Sequence, residues 1–302
     1  MSEKCFKCPR NCGAVRSEKA GFCGGTDKIR IARASPHFWE EPCISGTGGS
    51  GAVFFSGCPL KCVYCQNHTI SSENFGEEVT RERLEEIYGE LIWRGVHNID
   101  LITGSHYIDE IIPTLKQTEV PFVWNTSSYE KISELKKLDG KIQIYLPDLK
   151  YSSKETAKKY SNAPNYPKIA IDAIKEMYRQ TGPYKIDSDG IMISGVIIRH
   201  LVLPGELENT YGVIDAVSEE FKPGEVMFSL MSQYTPIVKN SKYPNLNRRI
   251  TKEEYEKAED YMYLCGIEDG FIQDFESASE EYTPNFDLTG VEKPEINPSD
   301  FK

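Results

Sequence analysis

Ala52-Val53-Phe54-Phe55-Ser56-Gly57-Cys58-Pro59-Leu60-Lys61-Cys62-Val63-Tyr64-Cys65-Gln66-Asn67 is the stretch around which the rest of the chain can be read. A short apolar run, expected to be a strand, leads directly into a loop with cysteines spaced C-x3-C-x2-C. A loop leaving a strand end can curl so that three nearby thiolates face one inorganic core, and Gly57 permits the close backbone approach this needs. Iron–sulfur clusters are held by cysteine thiolates, usually four. A local group of three leaves one iron open, and an open coordination position points to catalysis more than to scaffolding. Spacing alone also admits a structural zinc site that borrows a fourth ligand such as His68 or Cys43.

Outward from this motif, short apolar runs alternate with amphipathic stretches. The runs are 52–55, 99–102, 122–124, 142–146, 196–203 and 226–230. Helices are expected over 80–94, 106–117, 128–137, 167–180, 206–220 and 251–265. Thr251 with Glu254 three residues on is a capping-box signature. Six β–α alternations imply a parallel sheet with right-handed connections. Periodicity does not separate an open doubly wound sheet from a complete or partial barrel. Three segments follow: a Cys-rich, irregular metal-binding element over 1–48, the β/α unit over 49–275, and an irregular tail over 276–302 packing on it.

The three-cysteine motif after the first strand, with an aromatic before its last Cys, resembles the radical S-adenosylmethionine (SAM) superfamily. The wider match, including His37-Phe38-Trp39-Glu40-Glu41-Pro42 and Tyr282-Thr283-Pro284-Asn285-Phe286-Asp287, is similar to the pyruvate formate-lyase activating enzyme-like subgroup with a Cys-rich N-terminus. The resemblance implies an α/β fold, a partial (β/α)6 TIM-type barrel. It implies a [4Fe–4S] cluster on Cys58, Cys62 and Cys65 whose open iron takes the amino and carboxylate groups of SAM. Reductive cleavage then gives a 5′-deoxyadenosyl radical for hydrogen abstraction. The implied partners are SAM, a reductant such as flavodoxin or ferredoxin, and either a glycyl-radical enzyme or a small-molecule or peptide substrate. Tyr64 stands where the family places an aromatic against adenine.

Ligands bind at the carboxyl ends of the strands in such folds, so polar residues there are candidates. The second strand ends in Thr103-Gly104-Ser105-His106. It lacks the family's Gly-Gly-Glu-like element, so the amino-group contact is expected to fall to Thr103, Gly104 and backbone carbonyls. The third ends in Asn125-Thr126-Ser127, suited to a carboxylate or ribose, or to capping a helix. In the fourth, alternation puts Asp148 and Lys150 on one side, as a SAM-proximal Asp-x-Lys or a surface ion pair. The fifth carries Arg199 and His200, a carboxylate fork and a titratable group. The sixth ends near Gln233.

Cys5, Cys8, Cys12 and Cys23 form a second group, suited to a structural Zn²⁺ or a second Fe–S cluster. Cys43 and Cys265 stand apart. The segment from His37 to Cys43 is dense in functional residue types, but a linker packing its aromatics under the barrel explains it equally well. The glycine run 46–51 lacks the Lys-Ser/Thr of a phosphate loop and precedes a strand, which excludes a nucleotide-triphosphate role. Of 302 residues 39% are hydrophobic, enough for a sizeable core, and the formal charge is −11. That charge argues against nucleic acid or an anionic membrane surface as partner. No run is apolar enough to span a membrane and no secretory signal opens the chain. The expectation is a cytoplasmic protein with reduced, metal-binding thiols. The competing class is a non-catalytic zinc-binding interaction module.

Overall fold

The computed structural model describes residues 3–236, 240–275 and 284–293. Its strands are β1 (Ile29–His37), β2 (Ser50–Phe55), β3 (Glu77–Val79), β4 (Ile99–Ile102), β5 (Phe122–Thr126), β6 (Ile144–Pro147), β7 (Lys185–Ile186), β8 (Met192–Leu201), β9 (Met227–Met231) and β10 (Gly270–Ile272). They form one sheet in the order β10-β9-β8-β6-β5-β4-β2-β1-β3, with β7 added at β8. The run from β2 to β10 is parallel throughout. All six apolar runs read from the sequence lie in it. The chain is a mixed α/β sheet of the partial-barrel kind.

Period-two alternation decides which side chains face inward. Along β5, Val123 and Asn125 face the interior, while Trp124 turns outward to the helices. The lower interior is apolar: Val123, Ile144, Leu146, Met192, Ile197 and Met227 pack around Cys43 and Ile44. These last two belong to the short helix Pro42–Ser45, so the link between β1 and β2 plugs the barrel. Above the plug the inward side chains become polar.

Local sequence explains the outer helices. Thr80 accepts a hydrogen bond from the Arg83 amide at the start of helix Arg81–Trp93. The capping box of Thr251 and Glu254 opens helix Lys252–Leu264. Over 106–117 the expected helix breaks into a 3-10 turn Ser105–Tyr107, one helical turn Ile108–Ile111 and a second 3-10 turn Ile112–Thr114. Pro113 has no amide proton with which to continue the helix. Helix Lys154–Ser161 was not anticipated.

Two further expectations are corrected. Residues 1–48 are not irregular throughout, because β1 is a nine-residue strand antiparallel to β2 and to β3. A bulge between Ile31 and Arg33 breaks its alternation, which hides it from periodicity. A seventh parallel strand, β10, pairs with β9. At three residues it is too short to register as an apolar run. A Cβ on Gly270 would lie 1.9 Å from the Phe228 carbonyl oxygen, so only glycine fits there.

Within the tail, residues 284–293 lie along β1. The Leu288 amide donates to the Ala32 carbonyl and the Ala34 amide to the Thr289 carbonyl. Phe286 meets Phe54 edge-on, and Val291 is buried. Tyr282 and Thr283 lie outside the described residues. No helix among the described residues is long and apolar enough to cross a membrane.

Candidate functional site

The loop after β2 is held from several sides. Gly57, at φ +90°, donates its amide to the Ile70 carbonyl. A Cβ there would fall 2.6 Å from the Cys23 carbonyl oxygen. The Cys58 amide donates to that same carbonyl at 2.9 Å, and the Val63 amide donates to Tyr160. Arg10 clamps the loop from the N-terminal element. Its guanidinium donates to the carbonyls of Pro59, Leu60, Ser161 and Asn162. The carbonyls this irregular loop cannot pair within itself are thus satisfied by a distant arginine.

Cys58, Cys62 and Cys65 line one cleft, of ≈ 1230 Å³ counted out to its mouth. Burial, together with the neighbouring Cys62 and Cys65, pushes the Cys58 thiol up to about 12. Burial and Cys62 likewise raise Cys65. Such thiols become thiolates only where a positive centre compensates the charge, as bound iron does. Among the described residues no three His, Cys, Asp or Glu side chains converge closely enough to hold a single metal ion. A cubane asks for less convergence, because each thiolate binds a different iron. Three adjacent thiols on a cleft wall with a glycine-tight backbone fit that group.

Most of the residues expected at the site reach this cleft. Thr103, Asn125, Asp148, Lys150, Arg199 and Gln233 line it beside the cysteines. Tyr64 borders it from within a tyrosine cluster, edge-on to Tyr151, Tyr160 and Tyr234. Arg199 is the hub of the polar layer. It donates to Asp148 at 3.1 Å, to Glu40 at 2.7 Å and to the Asn125 side-chain oxygen Oδ1 at 2.6 Å. Lys150 donates to the other Asp148 oxygen at 2.7 Å, and Asn125 donates to Asp100 at 3.1 Å.

Protonation follows from these contacts. Burial pushes Asp148 up, but Lys150 and Arg199 outweigh it and hold the carboxyl below its ordinary value. Glu40 and Asp100 go the other way: burial dominates and both are raised. His37 also lines the cleft. Burial, with Arg33 and Arg199 nearby, lowers it to about 4, so it is neutral near pH 7.

Three expected residues are not brought together with the rest. His200 follows Arg199 and points to the opposite face, where its ring nitrogens meet the Leu149 carbonyl and the Thr210 hydroxyl. Thr126 also faces outward, donating to Glu130, which accepts from Trp124 as well. Gly104 packs against Ile111 and Trp124. Alternation accounts for His200 and Thr126.

Glu40 and Asp100 were missed as site residues. Asp100 stands at an inward parity within an otherwise apolar run, and that was the available signal. Glu40 and Glu41 enter the interior on the plug, while Phe38 and Trp39 are 55% and 48% exposed. The reading of 37–43 as aromatics tucked under the barrel is therefore reversed.

In the N-terminal group, Cys8 interacts with Cys5, Cys12 and Cys23, and burial pushes it up to about 11. Burial raises Cys23 as well. Arg16 is buried beside them, with Nε and Nη2 lacking a hydrogen-bond partner. As they stand, these thiols do not converge on one ion. Cys265 lies elsewhere, near Asp215.

A parallel partial barrel with a three-cysteine loop at the carboxyl end of its first parallel strand defines a recognisable class. The sequence profile of the radical SAM superfamily matches residues 52–214, and the chain belongs to that superfamily. Membership implies a [4Fe–4S] cluster and SAM. An uncharacterized protein of Methanocaldococcus jannaschii, MJ0674, is 30% identical over 270 residues, covering 85% of this chain and 73% of that one. Two solved structures share the fold. A radical SAM methyltransferase from Sphaerobacter thermophilus aligns with a TM-score of 0.51 at 11% identity, over 74% of this chain and 65% of that one. SuiB of Streptococcus suis bound to S-adenosylmethionine aligns with a TM-score of 0.52 at 14% identity, over 72% and 48%. The chain spans less than two thirds of either structure.

Proposed function

We propose that the chain binds SAM in the cleft beside Cys58, Cys62 and Cys65 and uses it to abstract hydrogen from a substrate. The observation that carries this reading is the shared lining of one cleft by the three cysteines and by Asn125, Asp148, Lys150, Arg199 and Gln233. When bound, a [4Fe–4S] cluster supplies an open iron and, with an electron from flavodoxin or ferredoxin, the means to split the SAM sulfonium into methionine and a 5′-deoxyadenosyl radical. The chain's own residues bind and orient. Lys150 and Thr103 offer donors to a carboxylate or ribose, Asn125 and Gln233 offer both donor and acceptor, and Asp148 holds Lys150 and Arg199 in place.

Two destinations for the radical come from the resemblance. One is a glycyl residue of a partner enzyme, the other a small molecule or peptide. The cavity that adjoins the cleft across Glu40 and Arg199 favours the second. The four N-terminal thiols are proposed to hold a second metal, zinc or Fe–S, whose thiolate charge would compensate the buried Arg16. The test is anaerobic reconstitution with iron and sulfide, metal analysis and detection of 5′-deoxyadenosine. Wild type is expected to take up about four irons at this site and to form the product from SAM. Cys62→Ala should form none, and product from that variant would overturn the assignment. Variants of the N-terminal thiols report the second metal separately.

A further inference from the structure

Behind the Glu40–Arg199 pair lies a second cavity, of ≈ 1310 Å³ counted in the same way as the cleft. Trp39, Glu40, Arg199, Met231 and Gln233 line both spaces, so the ion pair is a partition between them. One part of the second cavity's wall is apolar, with Phe38, Trp39, Met231, Phe271 and Ile272, and Gln273 and Asp274 also line it. Its floor carries Glu40 and Glu41.

Carboxyls outnumber cations at this level. Four carboxyls, Glu40, Glu41, Asp100 and Asp148, share two cations, Arg199 and Lys150. Arg199 bridges Glu40 and Asp148, and Lys150 also pairs with Asp148. Among the described residues neither Glu41 nor Asp100 has an ion-pair partner. Both are deeply buried, at 8% and 0% exposure. The Glu41 carboxyl has a hydrogen bond with Ser229, but its Oε2 atom, like Asp100 Oδ1, has no hydrogen-bond partner. Buried polar atoms are otherwise almost always satisfied, and a buried carboxylate without a cation is costly. Glu41 lines the second cavity and not the cleft, so SAM held in the cleft does not account for it.

We propose that this cavity receives the cationic head of the substrate, a primary ammonium or guanidinium on an aliphatic stem, with Glu41 and Glu40 as its counter-charges. The inference rests on the SAM-cleft reading for its purpose, since a head anchored there would project its stem past the partition toward the cleft. Aromatic faces at Phe38 and Trp39 suit a cation and its methylenes alike.

The probes are n-hexylammonium, n-hexylguanidinium and, as the uncharged control with the same stem, n-hexanol. Binding to the reconstituted full chain is followed by saturation-transfer NMR with and without SAM, after equilibrium dialysis has measured SAM binding itself. At least one of the two cations is expected to bind about tenfold or more tightly than hexanol, since charge-assisted hydrogen bonds are the stronger kind. Glu41→Gln should bring that affinity down toward hexanol's. If neither cation is preferred over hexanol, or if Glu41→Gln leaves the preference unchanged, the proposal is wrong. Should Glu41→Gln not fold, Glu40→Gln and the wild-type preference decide. Loss of SAM binding with a retained preference would count against the SAM reading alone, and SAM binding without a preference against the cation site alone.

Discussion

Arg199→Met should reveal how unevenly the polar layer bears its charge. The substitution keeps an unbranched apolar stem but removes the donors to Glu40, Asp148 and Asn125. Glu40 and Asp148 then face each other with only Lys150 to compensate. Breaking a buried pair by removing one partner costs roughly 3–5 kcal/mol. At about 2.1 cal/mol/K per residue over 302 residues, the unfolding entropy is ~630 cal/mol/K, so the melting midpoint should fall by roughly 5–8 °C. Glu40→Gln should behave differently. Its carboxyl is already raised by burial, Arg199 keeps Asp148, and the new amide keeps one acceptor oxygen. The expected loss is under about 1 kcal/mol. The double variant should be more stable than Arg199→Met alone, because it removes one uncompensated carboxylate. The assay is thermal unfolding under anaerobic conditions, followed by circular dichroism at pH 7. An equal loss for Glu40→Gln and Arg199→Met, or simple additivity in the double variant, would refute the reasoning.

Three other outcomes are expected. Glu130 is raised by burial from its ordinary 4.5 to about 7, in spite of hydrogen bonds from Thr126 and Trp124. The folded state therefore holds this proton more tightly than the unfolded one, so its contribution is complete below pH 4.5 and is lost as pH rises through 7. Glu130→Gln should flatten that part of the stability–pH profile and, at 1.36 kcal/mol per pH unit, gain up to about 3 kcal/mol at pH 8; urea titrations at both ends of the range check it. Gly57→Ala should destabilise the loop by about 1–3 kcal/mol and lower iron uptake on reconstitution, because its Cβ collides with the Cys23 carbonyl at positive φ. Lys150→Met should weaken SAM binding roughly ten- to a hundredfold, whereas His200→Asn should lower stability and leave SAM affinity within about threefold, as equilibrium dialysis would report.

Much of this site was legible because cysteine spacing and strand ends carry their meaning locally. The motif at 58–65 and the polar residues after β4, β5, β6, β8 and β9 needed only the alternation of apolar runs. Parity was the finer clue, and it separates Arg199 from His200. Applied to Ile99-Asp100-Leu101-Ile102, the same rule would have flagged Asp100 as a charge aimed into the barrel. Glu40 and Glu41 were less accessible. Their inward direction depends on the link from β1 to β2 folding back as a plug, and β1 itself is masked by its bulge. β10 exists because β9 offers an open edge, a tertiary cause that three residues of sequence do not display. The division into three segments was similarly blurred, since β1 from the first and residues 284–293 from the last lie side by side.

The hydrogen bond from the Cys58 amide to the Cys23 carbonyl joins the two cysteine groups through a single pair of backbone atoms. Arg10 adds a second tie from the N-terminal element to the same loop. If both thiol groups are filled as proposed, the two sites are partners in linkage. Whatever binds among the N-terminal thiols and orders that joint must strengthen cluster binding at 58–65, and cluster binding must return the same factor. The order in which the two are filled then affects the rate of maturation and not its end point. On that proposal residues 1–24 would belong to the assembly of the reactive centre as much as the loop that carries it.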